Sequence, residues 1–197
     1  MSTPSLFSTE VPAATTAAGP RPAVIGLDLS LTATGIAYAD GTTATIKTKQ
    51  SDGDRRLLHI AEAIQWAVGT GAGPMGSDVR PSLAVIEDIP QNSFAAKPIS
   101  MVHGVVRSVL IEAGVPYVLV TAATLKAYAT GKGSGDKVPM AMAAYKRAGR
   151  EFADDNQCDA AWLRWAGLDW LGYAEFELPK AQKDRLAKAK WPPAVAR

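Results

Sequence analysis

The sequence predicts an α/β protein, a mixed sheet with helices packed against it. Three observations lead there. Residues 23–48 hold three short strand-like runs, and Asp40-Gly41 supplies a tight turn between the last two, as an antiparallel hairpin requires. Beyond residue 55, helical and strand-like patterns alternate. The chain has 197 residues, 47% of them hydrophobic and 20% charged, which is enough for one well-packed core.

Taken in order, residues 23–29 read as a buried strand, 35–40 as a second and 43–48, with Thr and Ile alternating, as a third. From Arg55 to Val68 the pattern is helical, with Leu57, Leu58, Ala61, Ile64 and Val68 on one side. GTGAGPMGSDVRP is a loop by its Gly and Pro content. Residues 82–87 form the fourth strand, and a helix follows near 98–113. Its face of Ile99, Val102, Val106 and Leu110 fits either core or an interface, which periodicity does not separate. VPYVLV is the fifth strand. Lys126 ends a turn after it, and glycines 131, 133 and 135 make a curved loop. Two further helices cover 136–148 and 156–171. Residues 1–22, rich in Ser, Thr, Ala and Pro, are expected to be a disordered leader without the pattern of a signal peptide. Residues 23–178 then form one domain, and 179–197 a basic tail.

The single cysteine, Cys158, excludes an internal disulfide and a cysteine zinc cluster, and suits a reducing compartment. No apolar run reaches membrane-spanning length. The net charge of +2 is small but unevenly spread. Residues 122–150 hold six Lys and Arg against one Asp, and residues 178–197 the same, a net +5 in each. Two basic segments beside an acidic remainder suit a polyanion-binding face, although a solvated helix and a loose tail give the same counts.

Three separated carboxylates carry the chemistry. Asp28 lies in VIGLDLSLTATGIA, Glu87 closes the apolar run SLAVIE, and Asp159 sits in DDNQCDAAWLRWAG. Carboxylates at the ends of buried strands are costly to desolvate unless something positive joins them, so their convergence implies a divalent cation and phosphoryl transfer. Ser30, Thr32 and Thr34 end the first strand, and Gly35 allows a sharp turn or a close backbone approach. One helical turn before Asp159 stand Asp155 and Asn156, either of which could share its face, while Asp154 and Asp155 fit equally well as helix caps. Trp162 and Trp165 read as core. His59 and His103 have no ligand spacing and read as ordinary helix residues. In ATLKAYATGKGSGDKVPM, flexible backbone between Lys126, Lys132 and Lys137 can follow a phosphodiester chain. It is not a Walker loop, because GxxxxGK[ST] is absent.

The ensemble of GLDLSLTATG, a strand-ending IE, LK followed by GxGxxxK, and a helical Asp-Ala resembles the RuvC-type Holliday junction resolvases of the RNase H-like superfamily, over nearly all of residues 23–170. The resemblance implies a five-stranded mixed sheet with helices on both faces. It also implies two magnesium or manganese ions held by Asp28, Glu87 and Asp159, with Lys126 and Lys137 near the scissile phosphate. The implied DNA contacts are Ser30, Thr32, Lys126, Lys132 and Lys137, and Phe94 stands where the family places a wedge at the junction centre. Family members carry an acid or histidine three positions before the final Asp, where this chain has Asn156; charge balance favours Asp155 as the fourth ligand. Branched DNA as substrate, a homodimer and a cytoplasmic, bacterial or phage setting follow from the same resemblance. A junction-binding protein without cleavage is the alternative. An actin-like or sugar-kinase-like ATPase shares the opening strand and Gly/Thr-rich turn, but needs a second lobe that 197 residues do not supply.

Overall fold

The computed structural model describes residues 20–69, 80–90, 96–134 and 137–193. The strands are β1 (Val24–Asp28), β2 (Ala33–Ala37), β3 (Thr43–Lys47), β4 (Leu83–Glu87) and β5 (Tyr117–Val120). The helices are α1 (Arg55–Ala67), α2 (Ala96–Glu112), α3 (Ala122–Thr130), α4 (Lys137–Ala148), α5 (Asp155–Trp170) and the short α6 (Lys180–Lys183), which runs into a 3-10 turn over Asp184–Lys188. The five strands form one mixed sheet in the order β3-β2-β1-β4-β5. The first three are antiparallel neighbours, whereas β4 and β5 join β1 in parallel. Helical crossovers after β1–β3 and after β4 make the parallel pairings possible.

Alternation along the strands divides the core in two. Ile25, Leu27, Ala84 and Ile86 face α1 and α2. Val24, Leu83, Val85, Val118 and Val120 face α3, α4 and α5. Helices therefore cover both faces of the sheet. On α2, Val102, Val106 and Leu110 are fully buried against the strands, so this part of the face that periodicity left open is core, whereas Ile99 is only half-buried. Trp162 and Trp165 on α5 are also core, packed edge to face with each other and with Phe176. Arg164 is buried and held by two anchors: Nη1 donates to Glu175 Oε1 at 2.6 Å and Nη2 to the Ala39 carbonyl at 2.9 Å.

The second strand, read over 35–40, runs over Ala33–Ala37, so Thr34 lies within it rather than ending the first. Two further segments differ from the sequence expectation. Residues 122–130, read as turn, are a helix. Thr121 caps its start by accepting from the Thr124 N–H, and Gly131 ends it in the left-handed region at φ 82°. The basic segment after 179, read as a tail, is docked on α3: Leu186 is 1% exposed, and Gln182 Nε2 donates to the Tyr128 carbonyl at 2.8 Å. Trp191 closes the segment, donating to the Leu186 carbonyl and stacking on Trp170. Apolar positions spaced among lysines anchor it to the core. The loop over 70–79 and Phe94 lie outside the described residues.

Candidate active site

Period-two alternation puts Asp28 on the same face as Val24 and Gly26, and Glu87 on the same face as Leu83 and Val85. That is the face covered by α5. Because β1 and β4 are parallel with Leu27 beside Ile86, the two acids end adjacent strands side by side. Asp28 also pairs with Gly35 of β2.

The descent of α5 onto this face depends on glycine. A Cβ at Gly26 would stand 2.0 Å from the Ala160 carbonyl oxygen, and one at Gly35 would stand 2.1 Å from that of Asn156. Both obstacles are backbone, so no rotamer relieves them. The close approach suggested for Gly35 is thus present. Gly26 performs the same task one strand over, and its signal was a glycine inside a buried strand. With the helix seated this low, its N-terminal half lies over the carboxyl end of β1 and the stretch of β2 paired with it around Gly35.

The result is a cluster of like charge. Burial first, and then the charge of Asp159, push Glu87 up to about 7, against an opposing pull from Lys126. These three side chains from β4, α5 and α3 therefore share one electrostatic neighbourhood. Burial together with Asp159 and Asp155 drives the Cys158 thiol up to about 12, so that sulfur is inert at neutral pH. His103 is buried with its ring near the Glu87 backbone, and burial holds its pKa below the ordinary value. His59 is exposed on α1.

The start of α5 separates the residues that sequence left equivalent. Asp154 is the N-cap, accepting from the Gln157 N–H at 3.0 Å and from the Thr45 hydroxyl of β3 at 2.8 Å. Burial opposes its ionisation, but these bonds, with Lys47 and the Asn156 side chain, hold its carboxyl below the usual range. The Asn156 amide therefore serves the cap while its backbone packs over Gly35. Asp155 is exposed in the first helical turn.

Elsewhere, Ser30 and Thr32 form a local hydroxyl network after β1, in which Ser30 Oγ accepts from the backbone N–H of Thr32 and Ala33. Lys132 is exposed beyond α3, and Lys137 opens α4, its side chain lying outside what is described. Among the described residues, no three His, Cys, Asp or Glu side chains form a metal-holding group as they stand. The fit to a divalent cation lies in the donor chemistry: a half-buried Glu87 beside the Asp159 charge is a field that a hard cation relieves.

No protein-family model and no curated protein matches the sequence. Solved structures do. RuvC of Thermus thermophilus in complex with a Holliday junction substrate aligns at TM-score 0.60 and 19% identity, over 78% of this chain and 98% of that one. A further Thermus thermophilus RuvC structure aligns at TM-score 0.60 and 19% identity, over 86% and 99% of the two chains. Strand order, helices on both faces and this extent of superposition place the chain in the RNase H-like fold, in the form seen in the RuvC structures.

Proposed function

We propose that the chain is a divalent-metal-dependent endodeoxyribonuclease that cuts branched DNA, with a four-way junction as its substrate. The observation that carries this reading is the grouping of Glu87 with Asp159 and Lys126, beside the strand end that bears Asp28. The fold it shares with a protein seen bound to a Holliday junction supports the substrate class.

Asp28, Glu87 and Asp159 would hold two magnesium or manganese ions, with Asp155 adding charge at the helix start. Such ions supply charge neutralisation and a water of lowered pKa at the reacting phosphate. Lys126, already coupled to Glu87, offsets negative charge where the scissile phosphate enters. Lys132 and Lys137 flank the loop that would follow the backbone, with Ser30 and Thr32 offering hydroxyl and N–H groups on the other side. Paired cuts across a symmetric junction require two sites, hence a homodimer.

The test is cleavage of a four-way junction in magnesium, with duplex and flap DNA as controls. Symmetric nicks bearing 5′ phosphates support the reading; equal cutting of plain duplex would sink its structure selectivity. The engagement of Asn156 in the helix cap, where an acid is expected, favours a second reading, a junction binder that does not cut. Tight binding without any cleavage in magnesium or manganese would select it.

A further inference from the structure

The C-terminal segment lies beyond the residues that carry the family resemblance, and its positive charges are not equivalent. Lys180 is paired with Asp184 at 2.8 Å. Lys183 is shared between Asp169 at 3.5 Å and Glu177 at 3.4 Å. Arg185 and Lys188 have no acidic partner among the described residues, and both line a cavity of about 270 Å³ closed on its other side by Thr121, Thr124 and Gly133 of the α3 region.

The frame of this cavity is rigid. Leu186, between the two cations, is 1% exposed in the core, and the Gln182 bond to Tyr128 fixes the preceding turn. In a 3-10 turn, residues three apart eclipse, so Arg185 and Lys188 project to one side, roughly 6 Å apart along the axis. Opposite them stand the Thr121 cap and the positive end of the α3 dipole. The cavity mouth thus concentrates uncompensated positive charge, hydroxyl groups and loop backbone. It also adjoins the active site: Thr121 follows Val120, the register partner of Glu87, and α3 carries Lys126.

We propose that Arg185 and Lys188, with the Thr121 end of α3, form a backbone-phosphate site for the DNA arm leaving the cleavage centre. The inference rests on the branched-DNA reading and extends it to a segment outside the resemblance. Two successive phosphates of one strand would bridge the eclipsed cations, giving affinity and arm placement without base readout.

The experiment measures four-way-junction affinity across a salt series in EDTA, so that chemistry plays no part. Arg185→Gln/Lys188→Gln should lower the slope of log affinity against log salt by about 1.8, or 0.9 for each phosphate no longer neutralised. The charge-preserving swap Arg185→Lys/Lys188→Arg should keep the slope and confirms folding. An unchanged slope in the Gln pair overturns the site. An equal drop in Lys49→Gln/Arg55→Gln, which removes two exposed charges outside both basic segments, overturns it as well. A wild-type protein that fails to cut in magnesium defeats the nuclease reading alone, because the salt slopes are read without cleavage.

Discussion

Glu87 combines two roles that oppose each other. Its carboxyl has an ordinary value of 4.5 and is raised to about 7 in the fold by burial and by Asp159. The folded state therefore holds a proton that the unfolded chain releases over that interval. Stability from this group is full below pH 4.5 and is lost as pH rises through 7, by at most about 3 kcal/mol. In metal-free buffer at pH 8, Glu87→Gln should melt above wild type, and its melting temperature should vary less between pH 5 and 8, as calorimetry would show. The same substitution, like Asp28→Asn and Asp159→Asn, should reduce junction cleavage by several orders of magnitude while binding survives. Wild-type cleavage by any of the three would remove that residue from the site. At the helix start, Asp155→Ala should raise the magnesium concentration for half-maximal cleavage, whereas Asn156→Ala should act mainly on stability through the Asp154 cap. The three main carboxylates stand out in the sequence because Asp28 interrupts an apolar run, Glu87 ends one and Asp159 opens one. Which of Asp154, Asp155 and Asn156 caps the helix was not, since that choice is made by the Thr45 hydroxyl from a strand more than a hundred residues away.

Among the elements, α5 matters most, because it meets β1, β2 and β4 at once. Its height above the sheet depends on glycine at Gly26 and Gly35 of the strands and at Gly167 of the helix, where a Cβ would stand 2.7 Å from Val24 and Val85. Gly26→Ala should cost about 3 kcal/mol or more, since the added methyl meets the Ala160 carbonyl oxygen at 2.0 Å with nowhere to turn. Chemical denaturation measures the loss. Surviving folded protein should cut slowly at any magnesium concentration, because lifting the helix carries Asp159 away from Glu87. Normal stability together with normal cleavage would mean that the helix tolerates a higher seat. Most elements were readable from period and composition, including the helix α2, though not what its apolar face packs against, and the hairpin turn at Gly41. The helix α3 was not, because ATLKAYAT lacks a clear apolar face and its Thr121 cap and Gly131 stop also read as turn signals.

At the scale of the whole molecule, the chain closes on itself through its C-terminal segment. Composition marks that segment as basic, with six Lys and Arg against one Asp. Its docking rests on Leu178, Leu186 and Trp191, too few for a periodic signal over so short a stretch. Leu186→Ala should destabilise the protein by about 2–4 kcal/mol, seen as a lower urea midpoint with an unchanged slope. Removal of residues 180–197 should be worse than the loss of five net charges implies, exposing Tyr128 and the Trp162 cluster to solvent. A truncated protein as stable as the full chain would show that the segment only rests on the surface.

The stacked indoles of Trp170 and Trp191 have an optical consequence. Their rings lie 4.7 Å apart and within 8° of parallel, so their excited states couple. The pair should give a couplet in circular dichroism that Trp191→Phe abolishes. Because one ring belongs to the main body and the other to the docked segment, the couplet's amplitude reports directly on the fraction of molecules in which that segment is seated. If a DNA arm occupies the neighbouring cavity, adding junction should strengthen the signal, in a spectral window where the nucleic acid's own contribution can be subtracted.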